Sequence, residues 1–159
     1  MDRYLKLPER LATIVEFIDK ETLVADIGTD HGYIPVYLAL NGLARRIIAS
    51  DVSSGSLAAA RRSAEKYCVS DKIGFIVAPG LTGLSETDVD TIVIAGVGGE
   101  TIAGILEESP WAKNGKRLIL QPQTKIETLK LFLQENSYSI RETEQTQDRG
   151  RTYSVLLIY

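Results

Sequence analysis

Apolar residues along the chain alternate between two spacings. Over residues 8–18, Leu11, Ile14, Val15 and Ile18 fall on one helical face, and Pro8 suits a first turn. The short apolar run 23–27, ended by Gly28, reads as a strand. Residues 33–42 return to a helix, with Ile34, Leu38 and Leu40 apolar and Asn41-Gly42 closing it. The pattern repeats: a strand over 46–51, an alanine-rich helix over 55–67, and a strand over 73–77. A fourth strand over 89–95 is stopped by Gly96-Val97-Gly98-Gly99, and a helix follows over 100–108. Residues 117–121 form a fifth strand. The next helix carries Ile126, Leu129, Leu131, Phe132 and Leu133, with Asn136 as its cap. The end breaks the rhythm. Strands over 138–144 and 152–159 have no helix between them, and Asp148-Arg149-Gly150-Arg151 has the chemistry of a hairpin turn.

Strand–helix alternation requires an α/β fold: a doubly wound, mostly parallel sheet with helices on both faces. The last two strands make it a seven-stranded sheet ending in an antiparallel hairpin. No repeat, low-complexity tract or linker interrupts the chain, so residues 1–159 read as a single domain.

Composition adds limits. The 159 residues are 44% hydrophobic and 25% charged, as in an ordinary globular domain. No apolar run approaches the roughly 20 residues of a membrane span. Residues 1–6 carry no signal-peptide core, so the expectation is a cytoplasmic protein with no membrane partner. Cys68, the one cysteine, reads as a small buried thiol; it has no Cys or His neighbours at ligand spacing, and no metal site is expected. A net charge of −3 argues against a strongly basic surface. Local basic clusters remain at Arg3/Lys6/Arg10, Arg45/Arg46, Arg61/Arg62/Lys66 and Lys113/Lys116/Arg117.

Open parallel sheets bind ligands beyond the carboxyl ends of their strands, where strand order reverses. Here the first strand runs into Asp26-Ile27-Gly28-Thr29-Asp30-His31-Gly32. Gly28 and Gly32 permit a sharp turn and close approach of a ligand. A pyrophosphate-binding loop avoids carboxylates and sets a helix N-terminus at the phosphate. Asp26 and Asp30 suit a cationic sulfonium or amino group instead, and the glycine spacing lacks the full dinucleotide pattern. Asp51 ends the second strand, where a carboxylate can accept both hydroxyls of a ribose. Its alternative is a helix N-cap, which Ser53 or Ser54 would supply equally well. Together these residues point to an S-adenosyl-L-methionine-dependent methyltransferase of the Rossmann-like class I kind, whose sheet also ends in a hairpin. That last likeness is one of fold and supports function only through the site.

The other strand ends add detail. In this fold the loop Ala78-Pro79-Gly80-Leu81 flanks the adenine; Pro79 offers its amine no side-chain contact, and the Gly80 backbone substitutes. Three glycines after Ala95 make room for a close approach. The Asn/Asp-Pro-Pro-aromatic loop of enzymes that methylate exocyclic amines is absent there. Gly98-Gly99, opening a helix, would make an anion site suited to a nucleic-acid phosphate. His31, the one histidine, reads as site-lining or structural rather than as a general base, since no Gly-x-Ser-x-Gly elbow accompanies it. Gln121 lies at the same rim, where its amide would read a base edge or satisfy a loop backbone.

With these loops in place, four segments resemble the bacterial TrmK family of tRNA (adenine-N1)-methyltransferases. They are Lys6-Leu7-Pro8-Glu9-Arg10-Leu11, Ala25-Asp26-Ile27-Gly28-Thr29-Asp30-His31-Gly32-Tyr33-Ile34-Pro35, Ile94-Ala95-Gly96-Val97-Gly98-Gly99 and Leu118-Ile119-Leu120-Gln121-Pro122-Gln123. The match covers nearly the whole chain. Two departures stand out. The family usually has Gly-Asp-Gly-Leu where this chain has Ala78-Pro79-Gly80-Leu81, and it continues into a helical, coiled-coil-like region beyond the position of Tyr159. An excised catalytic domain or a short relative is the expectation. The resemblance implies an RNA-binding, tRNA-modifying enzyme that moves a methyl group from S-adenosyl-L-methionine to N1 of an adenine. It implies Asp30 as the catalytic carboxylate, Asp26 orienting the amino end of the cofactor, Asp51 holding its ribose and Gly80 against its adenine. Arg10 and Lys6 would contact substrate phosphate.

Two other readings remain open at this level. The same fold serves methyl transfer to a small molecule or a protein, and it serves nucleotide binding without transfer. The oligomeric state is not readable from the sequence.

Overall fold

A computed structural model describes residues 4–159, so Arg3 of the first basic cluster lies outside the described residues. The elements in chain order are α1 (Glu9–Glu16), β1 (Leu23–Ile27), α2 (Tyr33–Leu40), β2 (Arg46–Asp51), α3 (Ser54–Lys66), β3 (Ile73–Val77), β4 (Thr91–Val97), α4 (Gly99–Glu108), β5 (Arg117–Pro122), α5 (Ile126–Glu135), β6 (Ile140–Asp148) and β7 (Arg151–Ile158). Short 3₁₀ turns at Ser70–Lys72, Glu86–Asp88 and Pro110–Lys113, too brief to show a period, were not expected from the pattern.

The seven strands form one sheet in the order β3-β2-β1-β4-β5-β7-β6. The first five are parallel; β7 pairs antiparallel with both β5 and β6. Strand order therefore reverses between β1 and β4, which opens a crevice at their carboxyl ends.

Alternate residues of the central strands feed two cores. Val93, Ile119 and Leu157 pack with α1 and α2 through Leu11, Ile14, Ile34 and Leu38. On the other face, Ile92, Ile94, Leu118, Leu120 and Leu156 pack with α4 and α5 through Ile102, Leu106, Leu129 and Leu133. Burial on both faces explains why these strands read as continuous apolar runs.

Several boundaries move for identifiable reasons. Asp90 belongs to a turn: its backbone N–H donates to the Leu23 carbonyl, its carboxylate accepts the Leu23 N–H, and its own carbonyl accepts from Arg117. β4 therefore starts at Thr91. It does not stop at Ala95 but continues to Val97 through a register shift at Gly96, whose φ is 76°. In the hairpin, Arg149 and Gly150 have φ of 51° and 78°, the double positive φ of a type I′ turn. That turn brings Asp148 opposite Arg151, so both strands grow toward it.

Two helices end in the same way, α5 with the expected Asn136 at its C-cap. α3 closes with the Cys68 N–H on the Glu65 carbonyl and the Val69 N–H on the Ala64 carbonyl, with Cys68 at φ 58°. This is a Schellman ending built on a non-glycine residue. It leaves Cys68 exposed, which overturns the expectation of a buried thiol. α5 ends likewise, with Ser137 in the left-handed position one residue past Asn136.

The basic cluster Lys113/Lys116/Arg117 is taken up by the fold. Lys116 Nζ donates to the Val89 carbonyl at 2.8 Å, and Arg117 donates to the Phe17 carbonyl at 3.1 Å and pairs with Asp19 at 3.0 Å. Among the described residues, no helix is long and apolar enough to cross a membrane.

Candidate functional site

The carboxyl end of β1 turns sharply because Gly28, at φ 71°, lets the Gly28 and Thr29 N–H groups both donate to the Ser50 carbonyl of β2. This folds the acidic loop over the crevice. Asp26 lies beneath it, only 5% exposed, and accepts a hydrogen bond from Thr29 Oγ1 at 2.8 Å. Burial pushes its carboxyl up to about 7; the Thr29 bond works against that rise and the neighbouring Asp51 charge adds to it.

Asp51, at the end of β2, is also buried. Its Oδ2 accepts the Asp30 N–H at 3.1 Å and its Oδ1 accepts the Ser53 N–H at 2.9 Å. The N-cap of α3 is Ser53, whose Oγ accepts from the Ser56 N–H. The capping alternative for Asp51 is thereby removed, and its carboxylate is a clamp between two loops. Asp30 sits at φ 53°, a left-handed conformation that aspartate tolerates better than most residues. Its side chain is 70% exposed and lies 3.9 Å from His31 Nε2; the His31 ring stacks on Tyr33.

These groups line one cavity of about 720 Å³, within the range of small-molecule sites, roughly 300–1,000 Å³. Asp26, Gly28, Asp30, His31 and Asp51 lie along it, with Gly80 from the loop after β3, Ala95 from β4 and Arg10 from α1. Its charge is lopsided. Among the described residues, Asp26, Asp30, Asp51 and Glu108 face it against a single guanidinium, that of Arg10.

Three expected site residues are placed elsewhere. Gly32 does not line the cavity; at φ 71° it starts α2, and a Cβ there would meet the Ala60 Cβ at 2.8 Å. It serves the packing of α2 on α3. Gly98 is likewise outside the lining. The Gly99 N–H is occupied by the Thr124 carbonyl at 2.7 Å, and a Cβ on Gly99 would run into the Lys125 carbonyl. The glycine pair therefore admits a neighbouring backbone, and the Gly99 N–H, expected to face a phosphate, is already taken. Gln121 is fully buried and also outside the lining. Its Oε1 accepts from Arg10 Nη1 at 3.2 Å and its Nε2 donates to the Pro122 carbonyl at 3.1 Å, so it reads no base edge.

Other lining residues carried weak signals. Thr29 lies three residues past Asp26, the spacing at which a hydroxyl reaches back across a tight turn. Thr101, Ile105 and Glu108 share one face of α4 at helical spacing, and all three line the cavity. Gln123 lines it as well, its N–H held by the Val97 carbonyl at 2.8 Å.

Comparison with known proteins follows the same outline. The model of a family described as a methyltransferase domain matches residues 7–156. The tRNA (adenine(22)-N(1))-methyltransferase of Bacillus subtilis is 36% identical over 154 residues, covering 96% of this chain. This chain spans 65% of that relative's length. The crystal structure of the B. subtilis m1A22 tRNA methyltransferase TrmK superposes with a TM-score of 0.87 at 34% identity, covering 98% of this chain and 67% of that one. M. capricolum TrmK in complex with the cofactor product S-adenosyl-homocysteine superposes with a TM-score of 0.85 at 28% identity, over 96% of this chain and 68% of that one.

Proposed function

We propose that this chain, which belongs to the TrmK family of methyltransferases, transfers a methyl group from S-adenosyl-L-methionine to N1 of an adenine in tRNA. By likeness to the Bacillus subtilis relative, the acceptor is adenine 22. The observation that carries this reading is the acidity of the cavity at the point where strand order reverses. Four acidic side chains against one guanidinium disfavour the pyrophosphate of a dinucleotide and favour a sulfonium with an ammonium group, which also draws the proton from Asp26.

The residues present fit that cofactor. Asp26 is a carboxyl that holds its proton up to about pH 7 because burial disfavours its charge; a ligand ammonium would favour the ionised form. Asp51 uses one lone pair of each oxygen on backbone N–H groups, which leaves the others for two ribose hydroxyls. Gly80 gives its backbone to the adenine. The bound cofactor supplies an electrophilic methyl on a sulfonium whose leaving group is neutral.

What remains for the protein is mostly alignment, because N1 already carries its lone pair. N1 lies on the Watson–Crick edge, so the base leaves its stack or pair to react. Asp30, exposed at the mouth of the site, accepts from the adenine amine and stabilises the positive charge that grows on the base as N1 is alkylated. The enzyme works in the cytoplasm, where its substrate is.

Incubating the chain with bulk bacterial tRNA and methyl-labelled S-adenosylmethionine, followed by nucleoside analysis, tests this. Label in 1-methyladenosine is expected. Label confined to another nucleoside, or none at all, refutes the reading.

A further inference from the structure

Gln121 is the most deeply buried polar side chain at the carboxyl end of the sheet, and both ends of its amide are engaged. The bond from Nε2 to the Pro122 carbonyl fixes which way the amide faces. The reverse setting would put carbonyl oxygen against carbonyl oxygen and an NH₂ against a guanidinium, two repulsive contacts. Oε1 is therefore committed to Arg10 Nη1 at 3.2 Å. Arg10 reaches this point from α1, and its Nε lies 3.5 Å from Asp148 Oδ2 at the tip of the hairpin. Among the described residues, two of the three guanidinium nitrogens have partners in the fold, and Nη2 is left for a ligand. Gly96 keeps the approach open: a Cβ there would stand 3.9 Å from Arg10 Nη1.

We propose that Gln121 is a positioning residue that fixes Arg10 as an oxyanion clamp in the cavity. The inference rests on the functional reading above. Arg10 is the one permanent cation among the described lining residues, and a guanidinium with a fixed plane suits an oxyanion. Two sources fit that chemistry: the α-carboxylate of the cofactor, whose ammonium goes to Asp26, or a phosphate of the RNA substrate. In either case Gln121 touches no ligand. It acts by holding the planar group ready, so that its rotamers need not be ordered when the ligand arrives.

The test uses the whole chain with Arg10→Ala, Gln121→Met and the double variant. S-adenosylhomocysteine affinity is read by calorimetry at pH 8, and tRNA kinetics are read across a salt series. If the carboxylate is the ligand, Arg10→Ala weakens S-adenosylhomocysteine by about tenfold or more. If phosphate is the ligand, that affinity stays, KM for tRNA rises by a similar factor with little change in kcat, and the log–log salt slope falls by about one. Gln121→Met moves the same parameter the same way by about threefold or more, and adds nothing in the Arg10→Ala background. A Gln121→Met variant within about twofold of wild type on all three measures, or losses that multiply in the double variant, overturns the proposal. Should Gln121→Met melt too low to assay, Gln121→Glu takes its place. It keeps an acceptor toward Arg10 but cancels the charge, so it should lose the clamp as Arg10→Ala does, and wild-type binding by it overturns the proposal. Failure of the functional reading shows separately, as a wild-type chain that binds S-adenosylhomocysteine yet methylates no tRNA; weaker S-adenosylhomocysteine binding by both Arg10→Ala and Gln121→Met then still establishes the clamp on the carboxylate, and unchanged affinity in both overturns it.

Discussion

Three aspartates within 26 residues of one another have different surroundings, and those surroundings set their tasks. Asp51 is held at both oxygens by backbone N–H groups, so replacing it removes a pre-oriented acceptor pair. Asp51→Ala should weaken S-adenosylhomocysteine binding by at least ~1.4 kcal/mol in calorimetry, the tenfold step; unchanged affinity would remove its ribose role. Asp30 is exposed and makes no comparable anchor with its side chain. Asp30→Ala should abolish methyl transfer while leaving cofactor affinity largely intact, and an active variant would refute its catalytic part. Asp26 differs from both in its protonation. Its folded value, about 7, stands above the ordinary 3.8 of an aspartate because burial disfavours the charge. The folded chain thus holds more protons than the unfolded one between these values. Asp26 therefore makes stability fall as pH rises from about 4 to about 7, with no further change above that. A ligand ammonium needs the ionised form, so S-adenosylhomocysteine affinity should rise with pH up to about 7 and then level. The limiting slope is about tenfold per pH unit. Asp26→Asn should flatten that profile.

At the scale of elements, glycines that resemble one another in sequence do unlike things. Gly28 turns the chain and Gly80 lines the cavity, but Gly32 and Gly99 admit neighbouring backbone and side chain. Gly99 is the tighter case, because the atom a Cβ would meet is a backbone carbonyl that cannot swing aside. Gly99→Ala should cost about 1–3 kcal/mol by forcing α4 away from the segment that leads into α5. A denaturant titration would read it, and a wild-type midpoint would show that the segment yields freely. Helix patterning located α4 within a residue, yet not its role. The i, i+4, i+7 face of Thr101, Ile105 and Glu108 turns toward the cavity, and a helical period alone does not say which face meets a ligand. The strand of the hairpin tip grew for a reason the pattern does not carry. Its residues are nearly all exposed at the sheet edge, so no alternation marks them, and the type I′ turn sets their pairing.

For the molecule as a whole, the order of strands makes the site. β1 and β2 carry the acidic ends, β4 lines the cavity beside them, and α1 and the hairpin tip meet over β5 through Arg10, Gln121 and Asp148. The net field in the cavity is negative, which discriminates among ligands of similar size. S-adenosylhomocysteine should raise the melting temperature in a thermal-shift assay while NAD at equal concentration does not, since a ligand bound only by the folded state stabilises it; an equal shift with NAD would argue against the cationic-ligand reading. The sequence by itself determined the alternation of strands and helices, the closing hairpin and the acidic loop with Asp51 behind it. These are local, written in periodicity and in residues a few positions apart. Tertiary structure alone decided which of the candidates share a cavity. Gln121 proved buried and spent on Arg10, 111 residues away in the chain. The Gly98-Gly99 turn proved filled by the 124–125 backbone. Both outcomes depend on which distant segment occupies the space beside a residue, and a linear pattern holds no record of that.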